Sequence, residues 1–281
     1  MNALKMLLVE GAFALCLALG LSGCGFGTPL RMMDAEGMSL SSVNVLTDKE
    51  REEGWSLLWD GKTTAGWVSV RDMTRFPSNG WVIADGMLTV LPANRILANG
   101  TSVPLPPNEQ KLGGGGDIVT VKKYRDFELT FDFLLTAEAN SGVKYFYDEA
   151  QNGGTCEEYQ ILGCSHPDFN RGRNHRSASL YDVIPAADDC LLRPPGHWNS
   201  GRIIVRGSHV EHWLNGVKVV EYERGSKAFR EAVGKSKYAT WGKAADGRPQ
   251  PWGEVEEGRI LLQDHYDSRV SFRNIKIRVQ K

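Results

Sequence analysis

The sequence predicts an all-β fold: two packed antiparallel sheets with one short helix. Three observations point there. Apolar and polar residues alternate over many short runs. Gly, Pro, Asn and Asp punctuate those runs at the spacing expected of turns. Only one segment carries helical periodicity, and there is no internal repeat. The chain has 281 residues, 41% of them hydrophobic, and a formal net charge of -1. That is enough apolar material for a packed core, and it leaves no electrostatic footprint for nucleic acid.

Order is expected to begin near Trp55, in WSLLWDGKTTAGW, with a turn at Asp60-Gly61. WVIADGMLTV reads as a hairpin, because Asp85-Gly86 supplies the positive φ angles of a tight turn. Residues 92–116 hold four prolines and the run GGGG, and read as a long irregular loop. The glycine run lacks the Lys-Ser/Thr and the strand-to-helix setting of a phosphate loop. The central stretch, Phe127 to Leu162, reads as three strands. Phe127, Leu129, Phe131 and Phe133 share one face of the first, with Glu128, Thr130 and Asp132 on the other. In the second, Val143, Tyr145 and Tyr147 oppose Lys144 and Phe146. In the third, Tyr159 and Ile161 oppose Glu158 and Gln160. The expectation is one polar surface carrying Glu128, Asp132, Lys144, Glu158 and Gln160 together. A long loop with His166 and His175 comes next, from Gly163 to Pro195. HWNSGRIIVRG, HVEHWLNG and VKVVEYE are then strands, joined in part by the strong hairpin signal Asn215-Gly216. The helix runs from a Ser226 cap to about Tyr238, and GRILLQDH and VSFRNIKIRV close the chain as strands around a Tyr-Asp-Ser turn.

The first residues are a targeting segment. Lys5 precedes an apolar run from Met6 to Leu21, broken by Glu10 and Gly11, and LSGC ends at Cys24. This is similar to a bacterial lipoprotein leader, residues 1–24, with lipid on the Cys24 thiol. The alternatives are a plain secretory signal or a short membrane anchor. Gly25, rather than Asp, after the cysteine points to an outer-membrane anchor facing periplasm or cell surface. Residues 25–50 read as a polar tether, and 51–281 as the domain. Of the remaining cysteines, Cys156 and Cys164 bracket one strand and would lie about 26 Å apart if extended. A disulfide would therefore join Cys190 to one of them. A zinc site from Cys164, His166, His175 and Cys190 matches no standard spacing.

Taken together, GWSLLWDGKTTAGW, WVIADGMLTV, IVTVKKYRDFEL, ANSGVKYF, EYQIL, ASLYDVIPA, HWNSGRIIVRGSHVEHWLNGVKVVEYERGS and ILLQDHYDSRVSFRNIKIR resemble, in order, the 3-keto-disaccharide hydrolase domain family. The resemblance covers essentially the whole mature domain. It implies a concanavalin A-like jelly-roll sandwich and cleavage of glycosides already oxidised to a ketone at C3. A C3 ketone acidifies the C2 proton, so a base can form an enolate and the C1 aglycone leaves by elimination; hydration then gives net hydrolysis. Such chemistry needs a base, an acid, and a donor or cation for the enolate oxygen. Glu158 and His265 are candidates for the proton-transfer pair, with Lys144 or a bound divalent cation on the enolate. Asn140, Gln160, Tyr181, Asp182, Gln263 and Asp264 suit sugar hydroxyls, and Trp198 and His212 an aromatic wall. Each has a plainer role available: Glu158 as a solvated strand residue, His265 and Asp264 in turn bonding, Trp198 in packing, Arg273 paired with a carboxylate. Two departures stand out. Gly163-Cys164 replaces a pair of aspartates of the family, and Tyr266 replaces a glycine.

Two other readings share the fold. A noncatalytic carbohydrate-binding module would not need a base beside an acid. A retaining glucan hydrolase would need two carboxyl groups about 5–5.5 Å apart. FELTFDF offers Glu128 and Asp132 with Thr130 between them, so the E-x-D-x-x-E alternation is missing.

Overall fold

The computed structural model describes residues 42–97, 101–150, 155–187, 192–240, 251–267 and 269–280. The elements run α1 (Asp48–Glu52), β1 (Ser56–Leu57), β2 (Trp67–Ser69), β3 (Trp81–Ala84), β4 (Met87–Val90), β5 (Asn94–Ile96), β6 (Ser102–Pro104), α2 (Pro107–Gln110), β7 (Ile118–Thr120), β8 (Phe127–Leu135), β9 (Asn140–Tyr147), β10 (Glu157–Leu162), β11 (Asn199–Arg206), β12 (His209–Leu214), β13 (Val217–Glu223), α3 (Lys227–Val233), β14 (Arg259–Leu262) and β15 (Val270–Val279). An eight-stranded sheet has the order β13-β12-β11-β8-β15-β4-β3, with β1 added on β15. A five-stranded sheet has the order β10-β9-β14-β7-β2, and β5 and β6 form a small hairpin. The expected jelly-roll sandwich is the fold observed.

Alternation in β8 puts Phe127, Leu129, Phe131 and Phe133 into the core, where they meet Val143, Tyr145, Tyr159 and Ile161 of the five-stranded sheet. The Phe131 and Tyr159 rings meet edge-on, 5.2 Å apart at 87°. Gly201 on β11 is the cross-strand neighbour of Phe131, and a Cβ there would lie 2.4 Å from the ring. Truncating one such phenylalanine costs about 3–5 kcal/mol. The core also encloses a histidine. His212 turns Nδ1 to the Ala178 carbonyl at 2.9 Å, so that nitrogen donates and Nε2 accepts from the Tyr145 hydroxyl at 2.7 Å. Burial holds its pKa down at about 4.

Several expectations are corrected. The three central strands are not one sheet: β8 belongs to the eight-stranded sheet, and only β9 and β10 pair with each other. Glu128 and Asp132 therefore stand on the opposite side of the molecule from Glu158. The alternation in β9 breaks at Phe146, whose φ of 61° turns its ring into the core against Phe127, while Tyr147 faces outward with Val119 and Leu261. Residues 92–116 hold the β5–β6 hairpin and α2 rather than plain loop. The helix stops at Val233, with a short 3-10 turn at Lys237–Thr240. Order starts before Trp55: Val43 and Asn44 are buried, and Asn44 exchanges hydrogen bonds with Asn274 on β15. The end of the expected tether is thus part of the domain. The leader, Cys24 and Cys190 lie outside the described residues. Among those described, no helix is long and apolar enough to cross a membrane.

Two connections shape one rim of the five-stranded sheet. The chain beyond β10 folds back so that Ala178–Tyr181 runs along that edge strand, with Ala178 N–H bonded to Gln160 O and Tyr181 N–H to Glu158 O. This covers an edge that would otherwise expose unpaired backbone. Residues 263–267 lead out of β14 in one sheet toward β15 in the other, carrying Gln263, His265 and Asp267 over the rim.

Candidate active site

Register brings the first two residues together. Glu158 on β10 is the cross-strand partner of Lys144 on β9, and Gly142 is that of Gln160. Period-2 alternation points all four outward. Gly142 is there for space: a Cβ would come within 2.2 Å of Glu158 Oε1. Its absence lets the Glu158 side chain lie across β9, where Oε2 stands 3.8 Å from Lys144 Nζ. Both side chains are largely withdrawn from water, at 4% and 13% exposure. They open on a cavity of about 160 Å³ that is also lined by Asn140, Gln160, Tyr181, Lys237, Gln263 and His265, with Thr155 and Tyr238. Gln263 Oε1 is buried without a hydrogen-bond partner among the described residues. Its backbone is held instead, N–H to Gly142 O and carbonyl from Ser141 Oγ. An unpaired buried acceptor on a polar cavity wall is open to a water or a ligand hydroxyl.

Electrostatics favour proton transfer here. Burial raises the Glu158 pKa, and the charges of Lys144 and Lys237 only partly offset it. Burial works against the charge on Lys144, but Glu158 and Asp117 outweigh it and raise its pKa. His265 is raised as well: burial opposes its charge, yet the hydrogen bond from Nδ1 to Asp267 at 2.9 Å and the charges of Asp267, Glu158 and Asp168 prevail. The cavity therefore holds a carboxylate of raised basicity, an ammonium favoured by its acidic neighbours and an imidazole whose protonated form its neighbours favour. Those groups suffice for general base, electrostatic stabiliser and general acid.

Of the residues expected from sequence, Lys144, Glu158, His265, Asn140, Gln160, Tyr181 and Gln263 all line this one cavity. Four do not. Asp182 binds His175 Nε2 at 2.8 Å and the Lys237 backbone N–H at 2.7 Å, so it anchors the segment that bears Lys237. Asp264 accepts from the backbone N–H groups of Gly116 and Tyr266, pinning the glycine run to the rim. Trp198 lies under the Arg273 guanidinium, 4.0 Å from its ring centre, on the other sheet, and Arg273 in turn pairs with Asp132. His212 is in the core. No aromatic wall forms from the last two. The sequence reading missed Asp117, Lys237, Tyr238 and Thr155. Lys237 Nζ sits 4.2 Å over the Tyr181 ring. The helical pattern through Tyr238 masked its role, and only the early stop after Val233 turns it toward Glu158.

Of the zinc grouping, Cys164, His166 and His175 do not come together, and Cys190 lies outside the described residues. Cys156 and Cys164 are free thiols, and His175 turns to Asp182. His166 instead joins His265 and Asp267, each offering a ligand atom within 4.8 Å of the others. That donor set would suit a divalent transition ion. Here, however, His166 Nδ1 accepts from Asp168 N–H, its Nε2 faces Asn140, and His265 Nδ1 is bonded to Asp267. A cation taking His166 Nε2 would displace its contact with Asn140, whereas the bond from His265 Nδ1 to Asp267 leaves the other nitrogen of that ring open as a ligand. The Gly163 position admits no aspartate either, since a Cβ there would lie 2.1 Å from Ala137 O.

The chain matches the profile of the 3-keto-alpha-glucoside-1,2-lyase-like domain over residues 54–278. It is 33% identical over 244 residues to the 3-keto-disaccharide hydrolase of Bacteroides thetaiotaomicron, covering 81% of this chain and 79% of that protein. Two crystal structures of candidate glycosyl hydrolases from Parabacteroides distasonis share the fold. One has a TM-score of 0.66 at 26% identity, over 85% of this chain and all of the other. The second has a TM-score of 0.56 at 27% identity, over 80% and 99%. These likenesses support an enzyme that hydrolyses carbohydrate. With a match spanning nearly the whole described domain, this chain belongs to the 3-keto-alpha-glucoside-1,2-lyase-like domain family.

Proposed function

We propose that the protein cleaves glycosides bearing a ketone at C3 by abstracting the C2 proton and eliminating the aglycone. The observation that carries this reading is the Glu158–Lys144 pair: a buried carboxylate of raised pKa stands 3.8 Å from an ammonium on the wall of a polar cavity. Glu158 takes the C2 proton, and the C–H electrons form the C2–C3 double bond of an enolate. Lys144 stabilises the developing charge on the C3 oxygen. The enolate then collapses, the C1–O bond breaks, and the protonated His265 gives its proton to the leaving oxygen. Water adds at C1 of the resulting enone and a proton returns to C2, so the sum is hydrolysis. Gln263 Oε1 accepts from a sugar hydroxyl. Tyr266, about half exposed at the rim and 5.9 Å from the His265 ring, offers a stacking surface to the aglycone.

The leader implies export, with the domain tethered to the outer membrane through lipid on Cys24. Mass spectrometry of the native N-terminal peptide tests this: a diacylglyceryl-modified Cys24 is expected, and an unmodified one would reduce the leader to an ordinary secretion signal.

The activity is tested with a chromogenic glucoside and its 3-keto counterpart, with and without chelator. Aglycone release from the keto-sugar alone is expected, and loss of that release with chelator would give the enolate charge to a bound cation in place of Lys144. Release from the unoxidised sugar would favour an ordinary glycosidase. Binding without release from either would favour a lectin-like module.

A further inference from the structure

Behind Glu158 lies a chain of hydrogen-bonding groups whose direction is set from both ends. One end of the Gln160 carboxamide is 3.2 Å from Glu158 Oε1 and 3.3 Å from the Ser141 carbonyl. A carbonyl oxygen only accepts, so that end must be the NH₂. The other end of Gln160, its oxygen, lies 3.2 Å from the Asn140 carboxamide and therefore meets the Asn140 NH₂. The Asn140 oxygen then faces His166 Nε2 at 3.5 Å. At the far end His166 caps the 3-10 turn Pro167–Asn170, and its Nδ1 accepts from Asp168 N–H at 3.1 Å. An imidazole whose Nδ1 accepts must carry its proton on Nε2, so His166 donates to Asn140. Two backbone groups, a carbonyl at one end and an N–H at the other, thus demand the same orientation of every member. Asn140, Gln160 and His166 are all buried, at 5% exposure or less.

We propose that His166, through Asn140 and Gln160, holds Glu158 as a proton acceptor and directs its incoming proton to Oε2, the oxygen that faces Lys144. This deepens the proposed reaction and rests on Glu158 being its base. Oε1 meets a donor and has no room for a proton of its own, because the NH₂ cannot turn round without setting its oxygen against the Ser141 carbonyl. His166 and Gln160 are positioning residues here, and neither touches the reacting atoms. Lys144 on β9, Lys237 from the turn after α3, Asp117 before β7 and His265 after β14 are the charged groups that also act on Glu158. Burial keeps His166 itself neutral, with its pKa lowered, which preserves the single Nε2 proton the chain requires.

The test uses Gln160→Met, which removes the donor to Oε1, and His166→Asn, which keeps a good capping residue but cannot reach Asn140. Two quantities are followed against pH: kcat/KM for aglycone release from a chromogenic 3-keto-glucoside, and the carboxyl ¹³C signal of Glu158 in glutamate-labelled protein, assigned by its loss in Glu158→Gln. In Gln160→Met, the acid limb and the carbon signal should move together to higher pH. Activity on the acid side should fall roughly tenfold, recovering at high pH, as expected for one lost charge-assisted hydrogen bond. His166→Asn should move both in the same direction by less. A lowered plateau with limb and signal unmoved in both variants would overturn the proposal. A signal that moves while the limb does not would leave the hydrogen-bonded chain standing and remove Glu158 as the base.

Discussion

The outer faces of the two sheets carry the same kinds of residue and use them differently. On the eight-stranded sheet, Glu128 is gripped by Arg278 at 2.5 Å and also by Arg202, and Asp132 takes Asn274 at 2.7 Å and Arg273 at 3.4 Å. Both carboxylates meet close guanidinium or amide partners. On the five-stranded sheet, the Lys144 ammonium stands 3.8 Å from Glu158, and the space in front of the pair is a cavity. Arginine reaches a carboxylate bidentately and stays charged, whereas a buried lysine is a point charge on a flexible stem. The difference teaches that a carboxylate becomes chemically available when its partners stop short of satisfying it.

The comparison yields graded expectations. Glu158→Gln should lower kcat roughly 10³-fold with ligand affinity held within about tenfold, since only the proton transfer is lost. Lys144→Met should cost roughly 10²-fold in kcat by removing charge from the enolate site. Gly142→Ala, which touches no substrate, should push Glu158 off the β9 surface and cost about tenfold or more in kcat/KM. On the eight-stranded sheet the sign of the experiment reverses. Glu128→Gln should leave kcat unchanged and destabilise the fold by about 3 kcal/mol, measured by denaturant unfolding, because it leaves two arginines poorly paired. The smallest effect belongs to Tyr266, held at a φ of 47° that favours glycine. Tyr266→Gly should relieve about 1 kcal/mol of backbone strain while raising KM a few-fold.

The same groups set the pH profile. A base of raised pKa must lose its proton before it works, so activity should fall as pH drops through the Glu158 range. An acid of raised pKa keeps its proton further up, so activity should fall again only above the His265 range. A bell between them is expected, and Glu158→Gln should remove what remains of its acid limb.

The sheets were legible because strand alternation, Asn215-Gly216 and Asp85-Gly86 are local signals, and both turns are observed with positive φ. Pairing between sheets was not: nothing local to FELTFDF says that its partner is β11 rather than β9. The bulge at Phe146 was hidden for the same reason, since its left-handed φ arises from register with β14. In the site, residues on β9 and β10 were within reach of period-2 reasoning. Asp182 and Asp264 looked like sugar ligands because their chemistry suits one, and only the fold reveals the backbone N–H groups they bind. Asp117 and Lys237 come from segments far apart in sequence that tertiary packing alone brings to Glu158.

The central claim is abstraction of the C2 proton, and an isotope placed there tests it most directly. A 3-keto-glycoside deuterated at C2 should react with a primary isotope effect on kcat/KM and yield a sugar whose C2 hydrogen comes from solvent. Deuterium retained at C2, with no isotope effect and normal release of the aglycone, would contradict elimination and move the chemistry to direct displacement at C1.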